Sequence, residues 1–226
     1  MYNQDPYYTN RPKVKLFFDI ETIPAEEKYK DLVIELGLQK ENRKNKTKIK
    51  RISKSKKQEF YKQSAISGDF GRILCIGYAI DDGEISIIKG EETQILKEWW
   101  EIANLADLFV GHNIMDFDLR FIFKRSIVHH IKPCAKHLNL SFARYKNFPI
   151  YDTMREWEKW NPESFIKLDT LAKILNLESS KSGGIDGSQV FEFYEKGKLD
   201  EIYEYCKKDV KLTREVYQQM AFNTSK

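Results

Sequence analysis

Apolar positions recur along this chain with two periods. Residues 13–21, Lys-Val-Lys-Leu-Phe-Phe-Asp-Ile-Glu, are rich in β-formers, are stopped by Pro24 and predict a strand. Residues 71–80, Gly-Arg-Ile-Leu-Cys-Ile-Gly-Tyr-Ala-Ile, give the clearest strand signal. Asp81-Asp82-Gly83 is a turn signal, and 84–89 predicts a second strand that completes a hairpin. Helical spacing links Tyr29, Leu32, Val33 and Leu36 within 25–38, with Gly37 near the expected end. The same spacing marks 92–104 through Ile95, Leu96, Trp99, Ile102 and Ala103, and 118–128 through Leu119, Ile122 and Phe123. The last helix, about 200–220, carries Ile202, Cys206, Val210, Thr213 and Tyr217 on one stripe. Short strands are expected at 106–110 and around 148–151, the second followed by a helix that Asp152 can cap. Ser188 is the expected cap of a helix reaching Tyr194, after a Ser/Gly/Lys-rich loop from Glu178.

This order predicts a three-layer α/β fold, with helices flanking a central mixed five-stranded sheet. Strand 13–21 belongs in the middle, between the hairpin and strand 106–110. The expected organisation is one domain over 13–220, with a basic insertion at about 25–69 and polar tails at 1–12 and 221–226.

Composition narrows the class. With 226 residues, 41% of them hydrophobic, the chain can bury a core. No apolar run approaches the ~20 residues of a membrane span. The N-terminus has no signal-peptide pattern. Cys75, Cys134 and Cys206 are odd in number and far apart, which argues against a disulfide framework or zinc knuckle. A cytoplasmic setting is the resulting expectation. The net charge of +4 conceals an asymmetry. Residues 40–62 hold eleven Lys or Arg against Glu41 and Glu59, a net +9, so the rest carries −5. An arm containing Lys44, Lys46, Lys48, Lys50, Arg51, Lys54, Lys56 and Lys57 suits a polyanion such as nucleic acid. A solvated loop that aids solubility would show the same run.

Three acidic groups stand out. Asp19 and Glu21 are two residues apart on a strand and share a face. Paired buried carboxylates call for an offsetting charge, and Mg²⁺ accepts carboxylate oxygens. Alone, the pair equally suits a strand running into solvent. Asp118 follows strand 106–110 where a helix begins. Asp209 lies within the last helix, with Tyr205 one turn earlier on the same face. Alone, Asp209 also suits a surface acid pairing with Lys208 or Lys211.

Together these residues carry a resemblance. Asp19-Ile20-Glu21-Thr22 resembles the first motif of the DEDD 3′–5′ exonucleases, which have the ribonuclease H-like fold. Asn113-x-x-x-Phe117-Asp118 resembles the second motif as found in the proofreading domain of family B DNA polymerases. Tyr205-x-x-x-Asp209 resembles the third motif of the tyrosine subgroup. Gly111-His112-Asn113 and Asp186-Gly187-Ser188-Gln189-Val190 are similar to stand-alone predicted exonucleases related to that domain.

The resemblance implies two divalent cations, Mg²⁺ or Mn²⁺, held by Asp19, Glu21, Asp118 and Asp209, with Tyr205 orienting the attacking water. It implies a DNA substrate, at single-stranded or frayed 3′ ends, with Thr22, Asn113 and Phe117 around the terminal nucleotides. Phe117 would equally serve as core. Asp116 is expected to be a loop acid, and His112 to shape its loop. RNA on the same scaffold is the nearest alternative substrate, and an idle nucleic-acid-binding module the alternative from another class.

Overall fold

The computed structural model describes residues 13–46, 52–133, 139, 143–178 and 185–222. Its centre is one mixed sheet of β1 (Lys15–Ile23), β2 (Arg72–Ile80), β3 (Ser86–Lys89), β4 (Leu108–Gly111) and β5 (Ile150–Asp152). The order is β3-β2-β1-β4-β5. β2 runs antiparallel to β1 and β3, whereas β4 runs parallel to β1 and to β5. The acid-bearing strand is therefore central, between the hairpin and β4, as the order of elements predicts.

Both faces of β1 are covered. Leu16, Phe18 and Ile20 enter the larger core with Ile76, Phe109 and Ile122. There they meet α3 (Glu92–Ala103) and α4 (Asp118–Val128), and the rings of Phe18 and Trp99 lie 4.6 Å apart. Each such side chain contributes about 1.5–3 kcal/mol by leaving water. On the opposite face Phe17 packs with Val210 and Tyr217 of α8 (Leu199–Met220). The expected stripe of α8, from Ile202 through Cys206, Val210 and Thr213 to Tyr217, is buried throughout. Asp19 and Glu21 share the face of Phe17 and so look towards α8.

The segment 25–69 departs from expectation. A 3₁₀ turn, Glu27–Tyr29, precedes α1 (Lys30–Asn45), which runs through Gly37 into the basic segment. A Cβ on Gly37 would lie 2.7 Å from the Phe60 ring, so this glycine lets α1 meet α2 (Lys54–Gln63) closely and does not end a helix. Of the expected apolar stripe only Val33 is buried, because α1 rests on α2 along a narrow line. Near the C-terminus, Asp186 and not Ser188 is the cap. Its carboxylate accepts from the Ser188 N–H at 2.9 Å, and the Gln189 side chain accepts from the Asp186 N–H at 3.0 Å. This box starts a 3₁₀ turn, Gly187–Gln189, that leads into α7 (Val190–Glu195). Two short helices, α5 (Thr153–Trp157) and α6 (Leu168–Ile174), complete the described elements. Among the described residues no helix is long and apolar enough to cross a membrane.

Candidate active site

Three backbone devices bring the distant acids together. The first is close helix–sheet contact. Asp19 pairs across the sheet with Gly77. A Cβ on Gly77 would fall 2.8 Å from the Cys206 Sγ and 3.0 Å from Val210 Cγ2. Its absence lets α8 settle onto the sheet beside Asp19, carrying Tyr205 and Asp209 inward.

The second device is at the end of β4, which pairs with β1 only over Lys15, Leu16 and Phe17. Further along, the Ile20 N–H donates to Asp118 Oδ1 at 3.1 Å, so the carboxylate occupies a place that a further ladder partner would otherwise take. The third device is Asp152, which is almost fully buried. Its Oδ1 accepts from the N–H groups of Asn113, Met154 and Arg155, and its Oδ2 from Met115, all within 3.2 Å. Asp152 thus caps α5, as expected, and also shapes the loop that delivers Asp118. Asn113 in that loop has φ 64°, a left-handed conformation that Asn tolerates.

Asp19, Glu21 and the Cys206 sulfur form the tightest cluster, with ligand-capable atoms all within 4.8 Å of one another. Burial raises the Asp19 pKa well above the ordinary value, and the charges of Asp118 and Asp209 add to it. Burial likewise raises Glu21, with Asp19, Asp209 and Asp118 among the contributing charges. Asp118 is pushed up to about 7 by burial, against the pull of backbone N–H groups. The Tyr205 hydroxyl is driven well above its usual range by burial and by Asp209 beside it, so it stays protonated. Cys206 is raised too, by its contact with Cys75 and by burial, and its thiol donates towards the Asp19 carbonyl at 3.6 Å. It therefore serves as a protonated floor to the site.

Other enclosed acids are compensated, Asp152 by its four backbone N–H donors and two more by cations. Glu92 pairs with Arg125 and His129, and Asp116 with Arg120, Arg144 and Arg155. Asp19, Glu21 and Asp118 have no ion pair to Lys, Arg or His among the described residues. A hard cation fits this donor set. Carboxylate oxygens on one Mg²⁺ lie at most ~4.2 Å apart, given bonds of about 2.1 Å. The cation would also remove the repulsion that keeps these acids protonated.

A cleft of about 300 Å³ opens over the acids. Asp19, Glu21, Tyr205 and Asp209 line it, with Thr22, Phe117, Gly187 and Ser188. A second depression of about 310 Å³ adjoins it and includes Asn113, Lys167, Tyr205 and Asp209. Gly187 faces the Tyr205 hydroxyl, which would stand 3.8 Å from a Cβ there. Thr22 donates its hydroxyl to the Ala65 carbonyl at 2.7 Å. Phe117 is shared between cleft and core, with its ring 5.7 Å from that of Phe121.

His112 lies to one side. Its Nε2 donates to the Ile166 carbonyl at 2.8 Å, and Nδ1 contacts the Thr153 hydroxyl at 2.9 Å. Burial lowers it to about 4, which keeps the ring neutral. His112 ties two loops together, and Asp116 is bound up with its arginines.

Sequence reasoning counted Lys62 only in the basic segment 40–62 and did not assign Ala65, Ile66 and Phe191; all four line the cleft. They carry no pattern that links them to the acids. Cys206 was legible only as a member of an apolar stripe. In the basic arm, Lys44, Lys46, Lys54 and Lys57 are exposed, whereas Lys56 pairs with Glu41 and Glu59, both at 3.2 Å. Lys48, Lys50, Arg51 and Cys134 fall outside the described residues, as does most of the loop before Asp186.

Comparison with known proteins bears on the fold and the family. The fold is similar to that of the family B DNA polymerase from the hyperthermophilic archaeon Pyrobaculum calidifontis, with a TM-score of 0.62 and 15% identity. That match covers 94% of this chain but 25% of the polymerase chain, and at this identity it speaks for the fold alone. No curated protein matches the sequence. A family described as predicted 3′–5′ exonuclease related to the exonuclease domain of PolB matches residues 73–226, which include Asp118, Tyr205 and Asp209; Asp19 and Glu21 precede the matched region. With more than half of its length matched in this way, the chain belongs to the family of predicted 3′–5′ exonucleases related to the PolB exonuclease domain.

Proposed function

We propose that the protein is a metal-dependent 3′–5′ exonuclease that releases nucleoside monophosphates from DNA, preferring single-stranded or frayed ends. The observation that carries this reading is the set of buried and half-buried acids under an open cleft, with Asp19, Glu21 and Asp118 lacking an ion pair to Lys, Arg or His among the described residues. Asp19, Glu21 and Asp209 would hold one divalent cation and Asp118, with Asp19, a second. When bound, such a pair activates water and relieves charge on the phosphate being cut.

The protein's own residues set the geometry. Tyr205 remains a phenol at neutral pH, so its hydroxyl can orient the attacking water but does not take its proton. The helix that carries Tyr205 and Asp209 is fixed against Gly77, which keeps both side chains in register with Asp19. The Ile20 N–H holds one oxygen of Asp118 and leaves the other for a ligand. Phe117 offers a face for a base without reading its identity, and Asn113 a polar side chain nearby. Thr22, whose hydroxyl proton is engaged, contributes a wall. The exposed lysines of the arm, Lys44, Lys46, Lys54 and Lys57, would attract the phosphate backbone.

The test is degradation of a 5′-labelled single strand with Mg²⁺ or Mn²⁺, alongside a chelator control. A ladder shortened from the 3′ end, absent with chelator and abolished in Asp19→Ala and Asp209→Ala, is the expected result. Wild-type rates in both variants would overturn the site assignment. A matched RNA strand run in parallel decides the preferred sugar.

A further inference from the structure

The cleft has a wall that lies outside the residues matched to the exonuclease family. α2 and the 3₁₀ turn after it, Ser64–Ile66, precede residue 73 yet border the acids directly. Three hydrogen bonds lock this piece to the chain just past Glu21, and a fourth braces it internally. The Thr22 hydroxyl donates to the Ala65 carbonyl at 2.7 Å, and the Ala25 N–H to Ser64 Oγ at 3.0 Å. Ser64 Oγ donates in turn to the Tyr61 carbonyl at 2.6 Å, and the Tyr61 hydroxyl to the Ala25 carbonyl at 2.9 Å. Ser64 and Tyr61 are buried, so the contact is a packed joint.

Two side chains are exposed on the cleft side of that joint, Lys62 within electrostatic reach of Glu192 but in no ion pair with it. Lys62 is exposed and makes no ion pair among the described residues, although its neighbours Lys54, Lys56 and Lys57 lie on the same helix and Lys56 is fully paired. Ile66 is 70% exposed while the backbone beneath it is pinned. A lone exposed isoleucine is ordinary on a protein surface. This one stands in a cleft whose other apolar side chains are buried, as Ile20 is, or half-buried, as Ala65, Phe117 and Phe191 are, and whose floor is acidic. The space, about 300 Å³, is at the small end of ligand pockets and suits a single nucleotide. One cation, exposed apolar surface and a phosphate-cutting floor match the three parts of that ligand: backbone phosphate, base and scissile bond.

We propose that Lys62 and Ile66 grip the substrate strand, Lys62 by contact with a backbone phosphate and Ile66 by packing on the base of the 3′-terminal nucleotide. This rests on the exonuclease reading and adds to it a substrate-binding wall contributed by the insertion. Both side chains are exposed, so their replacement should leave folding intact, and equal melting temperatures check this.

The experiment measures binding of fluorescent oligonucleotides, closed with a 3′-terminal phosphorothioate to slow cleavage, to the full chain in Mg²⁺. Lys62→Ala should weaken binding about tenfold and flatten its salt dependence, and Lys62→Arg should restore both. Ile66→Ala should weaken binding about fivefold on a strand ending in an intact nucleotide. On a strand whose terminal nucleotide lacks its base, Ile66→Ala and wild type should bind equally. On unmodified strands, KM should rise by the same factors with kcat within about twofold. Unchanged affinities in both variants, or an Ile66→Ala loss that persists on the abasic end, would overturn the assignment while wild-type degradation leaves the exonuclease reading standing. A wild-type protein that degrades no strand overturns both.

Discussion

Replacing Asp118 by Asn should make the metal-free protein more stable and also inactive. Asn keeps the size of the side chain and the oxygen that accepts from Ile20 N–H, but it cannot ionise. Asp118 has a folded pKa of about 7 against an ordinary 3.8. A raised folded pKa means that the group's stabilising contribution is complete below 3.8 and lost as pH climbs through 7. Three pH units at about 1.4 kcal/mol each amount to roughly 4 kcal/mol. The Asp118→Asn variant escapes this loss.

The stability gap between variant and wild type should therefore be under about 1 kcal/mol at pH 4 and grow to roughly 4 kcal/mol at pH 8. For a chain of this size the latter is a rise in melting temperature of about 8–16 °C. His112 titrates with the opposite sign. Its pKa falls from 6.5 to about 4 on folding, so its contribution is present above 6.5 and lost as pH drops towards 4. It is common to both proteins and cancels in the difference. The assay is thermal or urea unfolding in chelator at the two pH values, with Mg²⁺ or Mn²⁺ added in a parallel series. The ions should stabilise wild type more than the variant and narrow the gap. An equal gap at pH 4 and pH 8, or none at pH 8, would refute the claim that burial holds Asp118 protonated.

Other substitutions probe the scaffold. Asp152→Ala leaves four N–H groups without their acceptor and should cost about 3 kcal/mol or more while lowering kcat, with Asp152→Asn intermediate in unfolding and rate assays. Gly77→Ala pushes a methyl group against Cys206 and Val210 and should destabilise by about 1–3 kcal/mol in urea unfolding; a neutral result would mean that α8 is free to lift from the sheet. Replacing Lys54 and Lys57 by Gln should reduce the slope of log affinity against log salt for single-stranded DNA by about one, and an unchanged slope removes the arm from the interface.

Local pattern carried a large part of this protein. Runs of β-formers in 13–21 and 71–80 specified both strands, since a strand covered on both faces reads as a near-continuous apolar run, and the stripe from Ile202 to Tyr217 specified the inner face of α8, because burial on one side of a helix imposes a period on the sequence itself. The acids were legible for the same reason: Asp19 with Glu21, and Tyr205 with Asp209, each pair share a face by spacing alone. Tyr29, Leu32 and Leu36 show where that logic stops. Their spacing is helical, yet α1 meets α2 along Val33 and Gly37 and leaves them half exposed. Period reveals that a face is apolar and says nothing of how much partner surface reaches it.

Contacts across long separations belong to the three-dimensional structure alone. No spacing rule joins Thr22 to Ala65, Asp152 to Met115 or Gly77 to Cys206, since each depends on how whole elements dock. The placement of Lys62 and Ile66 at the acids is of this kind. A chain's periodicity encodes which side of each element avoids water, whereas the shape of a cleft depends on the joint packing of all of them.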